Sequence, residues 1–147
     1  MGAPKLDPHL LDLSARPAPV FEEVMIIDDS SIDLFIHETI IHASALGRNV
    51  RRNLSALDAL SYLQNVDRLS QVPDLIFLDL NMPGMDGFEF LMAFNRLPDF
   101  VKRKAKIAVV TSSMNEEDRQ RAMMHPNVIK YYIKPLDIFQ LKDFLIQ

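Results

Sequence analysis

Residues 75–87 read LIFLDLNMPGMDG, a short apolar run followed by an acidic residue and a turn. The run 75–78 has the length and composition of a strand that is buried on both faces. Asp79 ends this run abruptly, and Pro83 and Gly84 then predict a turn before the next helix. A buried strand that passes through a turn into a helix is typical of a parallel α/β sheet.

The same arrangement recurs on both sides of this stretch. The other predicted strands are 24–27, 49–54, 107–110 and 128–133, and segments with helical spacing separate them. Five strands that alternate with five helices predict an α/β fold with a doubly wound five-stranded parallel sheet. Gly47 is the expected end of the first helix, and residues 137–145 are the expected last helix.

The composition narrows the class of protein. With 147 residues, 48% of them apolar, the chain is long enough for one domain with a substantial core. The absence of cysteine excludes a disulfide scaffold, a cysteine metal site and thiol catalysis. A formal net charge of −4 argues against a broad basic surface for nucleic acid, and the basic run at residues 102–106 is interpreted as a solvated loop.

The N-terminal residues differ from the rest of the chain. Residues 1–21 contain Pro4, Pro8, Pro17 and Pro19, which are incompatible with one continuous helix or a central strand. We therefore predict a flexible N-terminal arm at residues 1–21 and a single domain at residues 22–147. Neither an apolar run of about 18 residues nor a secretory signal is present, so we expect a cytoplasmic protein.

Polar residues follow four of the predicted strands. The first strand ends at Asp28 and Asp29, the third at Asp79, the fourth at Thr111 and the fifth at Lys134. Ligands of such sheets bind at the carboxyl ends of the strands, so these side chains are expected to meet. Each pair of carboxylates about 4 Å apart costs about 4 kcal/mol at an effective dielectric constant near 20. The ammonium of Lys134 and a divalent cation, preferably Mg²⁺, would offset this repulsion.

A carboxylate beside Mg²⁺ and a lysine can attack a phosphoryl group and become an acyl phosphate. The residues that would perform this chemistry occur in an order that resembles that of the receiver domain of two-component response regulators. The resemblance rests on Asp28-Asp29, residues 79–87, Thr111-Ser112 and Lys134-Pro135, and it covers about residues 22–147. It implies a flavodoxin-like (CheY-like) fold and a phosphoprotein that catalyses only its own phosphorylation and dephosphorylation.

The resemblance also implies roles in the phosphorylation chemistry. Asp79 corresponds to the phosphoacceptor, and Lys134 to the lysine that pairs with the phosphoryl group. Asp28, Asp29, Asp79 and the backbone carbonyl of Asn81 correspond to the protein ligands of Mg²⁺ or Mn²⁺.

Further positions correspond to the conformational switch of receiver domains. Thr111 corresponds to the hydroxyl that moves toward the phosphoryl group, and Tyr131 to the aromatic residue that turns inward on activation. Asn81 and Ser113 occupy the two positions that tune the lifetime of the phosphoryl group.

The implied partners are a histidine kinase or a histidine phosphotransfer protein, and a separate, unknown output protein. Neither a membrane nor nucleic acid is an expected direct partner, and homodimerisation is left open. One alternative function is an Mg²⁺-dependent phosphatase of the haloacid dehalogenase type, although Asn81 stands where those enzymes have a second Asp. The other alternative is a receiver domain that binds its partners without phosphorylation.

Overall fold

A computed structural model of the protein describes residues 18–145. The strands are β1 (Phe21–Ile27), β2 (Gly47–Asn53), β3 (Leu75–Leu78), β4 (Lys106–Thr111) and β5 (Val128–Ile133). The α-helices are α1 (Ser31–Ala43), α2 (Ala56–Asn65), α3 (Gly87–Phe94), α4 (Asp99–Lys104), α5 (Glu116–Met123) and α6 (Lys142–Leu145). A 3₁₀-helix, Leu69–Gln71, precedes β3.

The strands form one parallel sheet in the order β2-β1-β3-β4-β5. From β1 the chain moves one way to β2, and it then returns past β1 to build β3, β4 and β5 on the other side. This order confirms the predicted doubly wound five-stranded sheet. Folds of this type bind ligands where the winding direction reverses, which here is the carboxyl edge between β1 and β3.

The strands bury side chains on both faces of the sheet. Met25 and Ile27 of β1 pack into a cluster with buried residues of α2 and α3. The alternate residues Val24 and Ile26 pack on the opposite face with α1 and α6. Because both faces are covered there, residues 24–27 of β1 are a continuous apolar run instead of an alternating one, whereas Glu22 and Glu23 precede the buried part of the strand.

The end of the first helix differs from the prediction. Helix α1 ends at Ala43, and Ala45 turns the chain with a positive φ of 56°. Gly47 instead opens β2, where a β-carbon would lie 2.5 Å from Cγ2 of Val24. The glycine is therefore required by close strand packing, and its prediction as a helix end was wrong.

Residues 18–145 contain six α-helices, besides the short 3₁₀-helix, where five helices were predicted. The additional helix is α4, which includes three residues of the basic run that was predicted to be a loop. Asp99 in its first turn and the basic residues in its last turn suit the helix dipole. Val101 is its only buried residue, so the sequence carries no helical periodicity there.

The last helix is shorter than predicted. Residues 138–141 form turns, and only Lys142–Leu145 is α-helical. Leu141 and Phe144 each donate a backbone hydrogen bond to the residue three positions earlier, as in a 3₁₀-helix. Both side chains are nevertheless buried, so the segment packs against the core as a helix would, but most of it is not the α-helix that was predicted.

The predicted N-terminal arm lies mostly outside the described residues. Residues 1–17 are not described, and the predicted flexibility therefore stays a prediction there. Within the described part, the Val20 N–H donates to the carbonyl of Ala45 at 3.2 Å, and Phe21 already belongs to β1. No helix within residues 18–145 is long and apolar enough to cross a membrane.

A side chain in place of Gly87, at the start of α3, should lower the stability of the fold. A β-carbon there would lie 2.7 Å from both the carbonyl oxygen of Asp79 and the Cα of Leu80, which are backbone atoms. We expect Gly87→Ala to lower the free energy of unfolding by about 1–3 kcal/mol in urea denaturation. The control is Gly84→Asn, because Gly84 has φ +73° and open space around it, which asparagine tolerates. Equal stabilities of the two variants would contradict this packing argument.

Candidate functional site

The register of the sheet brings the ends of β1 and β3 together. Ile27 pairs with Leu78, so Asp28 and Asp79 follow at the same level of two neighbouring strands. The Asp79 N–H donates to the carbonyl of Ile27 at 3.1 Å, and the Asp28 N–H donates to the carbonyl of Asn53 at 3.1 Å. Both aspartates are therefore fixed by the sheet at its carboxyl edge.

Three carboxylates converge at this edge. Asp28, Asp29 and Asp79 each have a carboxylate oxygen within 4.8 Å of the others. Asp28 and Asp79 are only 2% and 5% exposed, whereas Asp29 faces solvent. Backbone N–H groups orient the two buried side chains, since Ser30 donates to Oδ1 of Asp28 at 2.9 Å and Asn81 donates to Oδ1 of Asp79 at 3.1 Å.

Lys134 reaches this cluster from the end of β5. Its Nζ donates to Oδ2 of Asp28 at 2.7 Å and to Oδ2 of Asp79 at 3.2 Å. A third hydrogen bond, 2.8 Å long, goes to Oδ2 of Asp33 in the first turn of α1. The backbone N–H of Lys134 donates to the carbonyl of Thr111 at 2.8 Å, which ties β5 to β4 at this point, and the Lys134-Pro135 peptide bond is cis.

The electrostatics of the site are dominated by burial and by these hydrogen bonds. Burial by itself lowers the pKa of Lys134, but the hydrogen bonds to Asp28 and Asp33 outweigh it and raise the pKa above its ordinary value. Burial raises the pKa of Asp28, and the hydrogen bond from Lys134 opposes that shift. The ammonium of Lys134 contacts three carboxylates, and the exposed Asp29 adds a fourth beside Asp28 and Asp79, so the site retains an excess of negative charge.

The donor set fits a divalent metal ion. Carboxylate oxygens are hard ligands of the kind that Mg²⁺ prefers, and the excess negative charge favours a cation. Three such oxygens already converge without any rearrangement of the sheet. The residues predicted as metal ligands, Asp28, Asp29 and Asp79, are thus brought together.

Thr111 and Asn81 line the same edge. Thr111 is fully buried at the end of β4, and its Oγ1 accepts a hydrogen bond from the backbone N–H of Ser113 at 3.3 Å. The Asn81 Nδ2 lies 3.4 Å from the same oxygen, at the long limit of a hydrogen bond. The predicted switch hydroxyl therefore contacts residues at both lifetime-tuning positions, one of which, Asn81, follows the phosphoacceptor candidate by two residues.

Comparison with known proteins now identifies the family. A family profile described as the response regulator receiver domain matches residues 24–146. The chain belongs to this family. Receiver domains bind Mg²⁺ in an acidic pocket, and the cluster at the edge of this sheet has that composition.

Individual relatives agree with the family assignment. The chain is 31% identical over 112 residues to the sensor histidine kinase CheAY of Helicobacter pylori, and this match covers 76% of the chain and 13% of that protein. It is 30% identical over 97 residues to the response regulator Rcp1 of Synechocystis, which covers 65% of each protein. Both matches thus span less than two thirds of the relative's length.

A solved receiver structure extends the similarity to the fold. The response regulator receiver protein of Dyadobacter fermentans is 31% identical in sequence and superposes with a TM-score of 0.72. The superposition covers 86% of this chain and 99% of the other. The CheY-like fold predicted from the sequence is therefore confirmed.

The receiver also contains a hydrogen-bond chain that leads away from the site. The Tyr131 hydroxyl donates to the carbonyl of Ser113 at 3.1 Å, and Oγ of Ser113 donates to Oδ2 of Asp118 in α5 at 2.7 Å. Burial raises the pKa of Tyr131, which packs half-buried against the α2–α3 side of the core. Tyr132 points to the opposite face, as expected for neighbouring strand residues.

Asp33 is the site residue that the sequence prediction missed. It lies in the first turn of α1, where its backbone N–H donates to Oγ of the cap residue Ser30 at 3.2 Å. An acidic residue in that position is usually explained by the helix dipole alone. The available signal was that α1 follows β1 directly, which brings its first turn to the carboxyl edge of the sheet.

Proposed function

We propose that this receiver accepts a phosphoryl group from a histidine kinase or a histidine phosphotransfer protein onto Asp79, and that it signals to a separate partner through a conformational switch. The observation that carries this proposal is the ammonium of Lys134, which bridges Asp28 and Asp79 at the point where the sheet reverses its winding. Family membership supports the class of the reaction.

In the proposed reaction, a carboxylate oxygen of Asp79 forms a bond to phosphorus. The bond from phosphorus to the donor's nitrogen or oxygen breaks, and the leaving group departs with the electron pair. Asp79 becomes an acyl phosphate, and Lys134 donates hydrogen bonds to the added negative charge. Hydrolysis by water returns the aspartate and releases inorganic phosphate.

The Mg²⁺, or Mn²⁺ in its place, would be held by the carboxylates of Asp28, Asp29 and Asp79 and by the backbone carbonyl of Asn81. When bound, the metal neutralises charge on the phosphoryl oxygens. The chain itself supplies orientation, since the backbone N–H groups of Ser30 and Asn81 fix the carboxylates before any ligand arrives. This preorganisation supports transfer from a donor with a good leaving group without a general acid.

The proposed switch runs from Thr111 through Ser113 to Tyr131. A movement of Thr111 toward the phosphoryl group would disturb its hydrogen bond from Ser113, whose carbonyl holds Tyr131 and whose hydroxyl holds α5. We therefore propose that α5 and β5 form the face that responds to phosphorylation. Asn81 and Ser113, as small polar residues next to the site, are proposed to tune the phosphoryl lifetime.

The partner class follows from the relatives, among which are a sensor histidine kinase and a response regulator. The output partner, the oligomeric state and the expected cytoplasmic location stay predictions. A haloacid dehalogenase-type phosphatase has less support, because the residue two positions after Asp79 is the amide Asn81, which has no carboxylate to act as an acid or base. The other alternative, a receiver that binds its partners without phosphorylation, is distinguished by the acetyl phosphate experiment that follows.

The function is tested by incubating the protein with acetyl phosphate and measuring its intact mass. We expect one phosphoryl group per chain with Mg²⁺ present and none when EDTA removes the metal, because the carboxylate cluster would then repel the anionic donor. Absence of phosphorylation at saturating Mg²⁺ would favour the receiver that acts without it.

Loss of a metal ligand should weaken metal binding without unfolding the chain. We expect Asp29→Ala to weaken Mg²⁺ binding by about one to two orders of magnitude in calorimetric titration, since Asp29 is solvent-exposed but belongs to the carboxylate cluster. The control is Asp67→Ala, which removes an exposed carboxylate outside the cluster. An unchanged titration of Asp29→Ala would contradict the assigned ligand.

A further inference from the structure

Asp33 competes with Asp79 for the ammonium of Lys134. The Nζ lies 2.8 Å from Asp33 but 3.2 Å from Asp79, and charge-assisted hydrogen bonds normally measure about 2.7–2.9 Å. The ammonium is therefore closer to Asp28 and Asp33 than to the proposed phosphoacceptor. Because an ammonium has three N–H donors, all of its donors are engaged in this arrangement.

The three acceptors differ in how firmly they are held. Asp28 is buried and its second oxygen accepts the Ser30 N–H, so its carboxylate has little freedom. Asp33 is 32% exposed as a side chain and can exchange its hydrogen bond from Lys134 for hydrogen bonds from water. Of the two partners with short hydrogen bonds, Asp33 is thus the one that Lys134 can leave at the lower cost.

We propose that Asp33 is a positioning residue that holds Lys134 back from Asp79 and thereby slows loading of the phosphoryl group. This inference rests on the proposed function of Asp79. When a phosphoryl group arrives, Lys134 exchanges Asp33 for a phosphoryl oxygen, and the attraction of Asp33 opposes that exchange. Asp33→Asn keeps the shape of the side chain and removes the negative charge that competes with the phosphoryl group for Lys134.

The chain offers a matched control. Asp58 occupies the same position in α2 that Asp33 occupies in α1, and its backbone N–H donates to Oγ of the cap residue Ser55 at 3.1 Å. Its carboxylate is exposed and forms no ion pair within residues 18–145. Asp58→Asn therefore removes the same charge from the same type of helix start without touching Lys134.

The experiment measures two quantities at saturating Mg²⁺. One is the rate of phosphorylation by acetyl phosphate, followed by intact mass, and the other is the affinity for fluoroberyllate, followed by ¹⁹F NMR. For Asp33→Asn we expect both to rise about three- to tenfold over the wild type. We also expect a shift of the bound fluorine resonances as Lys134 moves closer, while Asp58→Asn behaves as the wild type.

Each other outcome counts against the inference. Equal or slower loading of Asp33→Asn, or an equal gain in Asp58→Asn, would overturn the role of Asp33 and leave the proposed function intact. If the wild type neither gains mass nor binds fluoroberyllate, both proposals fail. Asp33→Ser, which also lacks the charge and suits a helix start, repeats the test if Asp33→Asn does not fold.

Discussion

Replacing Asp79 by Asn is expected to abolish phosphate incorporation and, in the absence of metal, to stabilise the fold. Incorporation is lost because an amide oxygen cannot form the acyl phosphate. Stability rises because one of the three carboxylates that contact the single ammonium of Lys134 loses its charge, which also relieves its repulsion with Asp29. We expect a gain of about 1 kcal/mol in the free energy of unfolding, measured by urea denaturation in EDTA.

Magnesium should reverse this difference. The wild type has all three of the proposed carboxylate ligands, and binding of the ion to the folded state alone would raise its stability as the concentration increases. Asp79→Asn lacks one proposed ligand and should gain less. If Asp79→Asn incorporates phosphate at the normal rate, the assignment of the phosphoacceptor is wrong. If the variant is less stable than the wild type in EDTA, the explanation by excess negative charge in the site is wrong.

Replacing Lys134 by Met is expected to have the largest effect on stability. Asp28 and Asp79 are nearly inaccessible to solvent, and without Lys134 both carboxyl groups lose the ammonium that contacts them. Breaking a buried charge pair in this way costs about 3 kcal/mol or more. The matched control is Lys130→Met, because Lys130 pairs with Asp143 at the surface, and such a pair contributes about 1 kcal/mol or less.

The loss in Lys134→Met should depend on metal and on pH. Mg²⁺ can supply the missing positive charge, so the stability should recover in part as the ion is added. Burial raises the pKa of Asp28, and loss of the hydrogen bond from Lys134 raises it further. The folded variant then binds a proton more readily than the unfolded chain, so its deficit is smallest at acid pH and grows as the pH rises through the pKa of Asp28 in the fold. A deficit that is independent of both pH and Mg²⁺ would contradict the electrostatic explanation.

The sheet and most of the site were predictable because both depend on short, local signals. A segment buried on both faces of a sheet must be apolar, so residues 24–27 of β1 and the whole of β3 stand out in the sequence, and the residues that follow them lie at one edge. The proximity of Asp28 and Asp79 could therefore be predicted from the sequence alone. The same reasoning extended to Lys134 at the end of β5.

The features that were not predicted depend on packing between elements. Gly47 was mistaken for a helix end because its close contact with Val24 of the neighbouring strand leaves no trace in the local sequence. The contact of Asp33 with Lys134 joins residues 101 positions apart and depends on the placement of α1 above the sheet. Likewise, the hydrogen bond from Tyr131 to the Ser113 carbonyl depends on the path of a loop.

The charge that the site would use for phosphorylation is also a source of instability. Four carboxylates around one lysine would be an unfavourable choice in a core selected for stability alone. The predicted gain in stability of Asp79→Asn in EDTA and the predicted recovery of Lys134→Met in Mg²⁺ are two signs of this same imbalance.

Asp79 is the proposed carrier of the phosphoryl group, and the sharpest test is to locate that group on the wild-type chain. After incubation with acetyl phosphate and Mg²⁺, borohydride reduction converts an aspartyl phosphate to homoserine, which tandem mass spectrometry of the digested protein can locate. We expect homoserine at residue 79 and at no other aspartate. Homoserine at another aspartate, or none in a protein shown to bind Mg²⁺, would contradict the account.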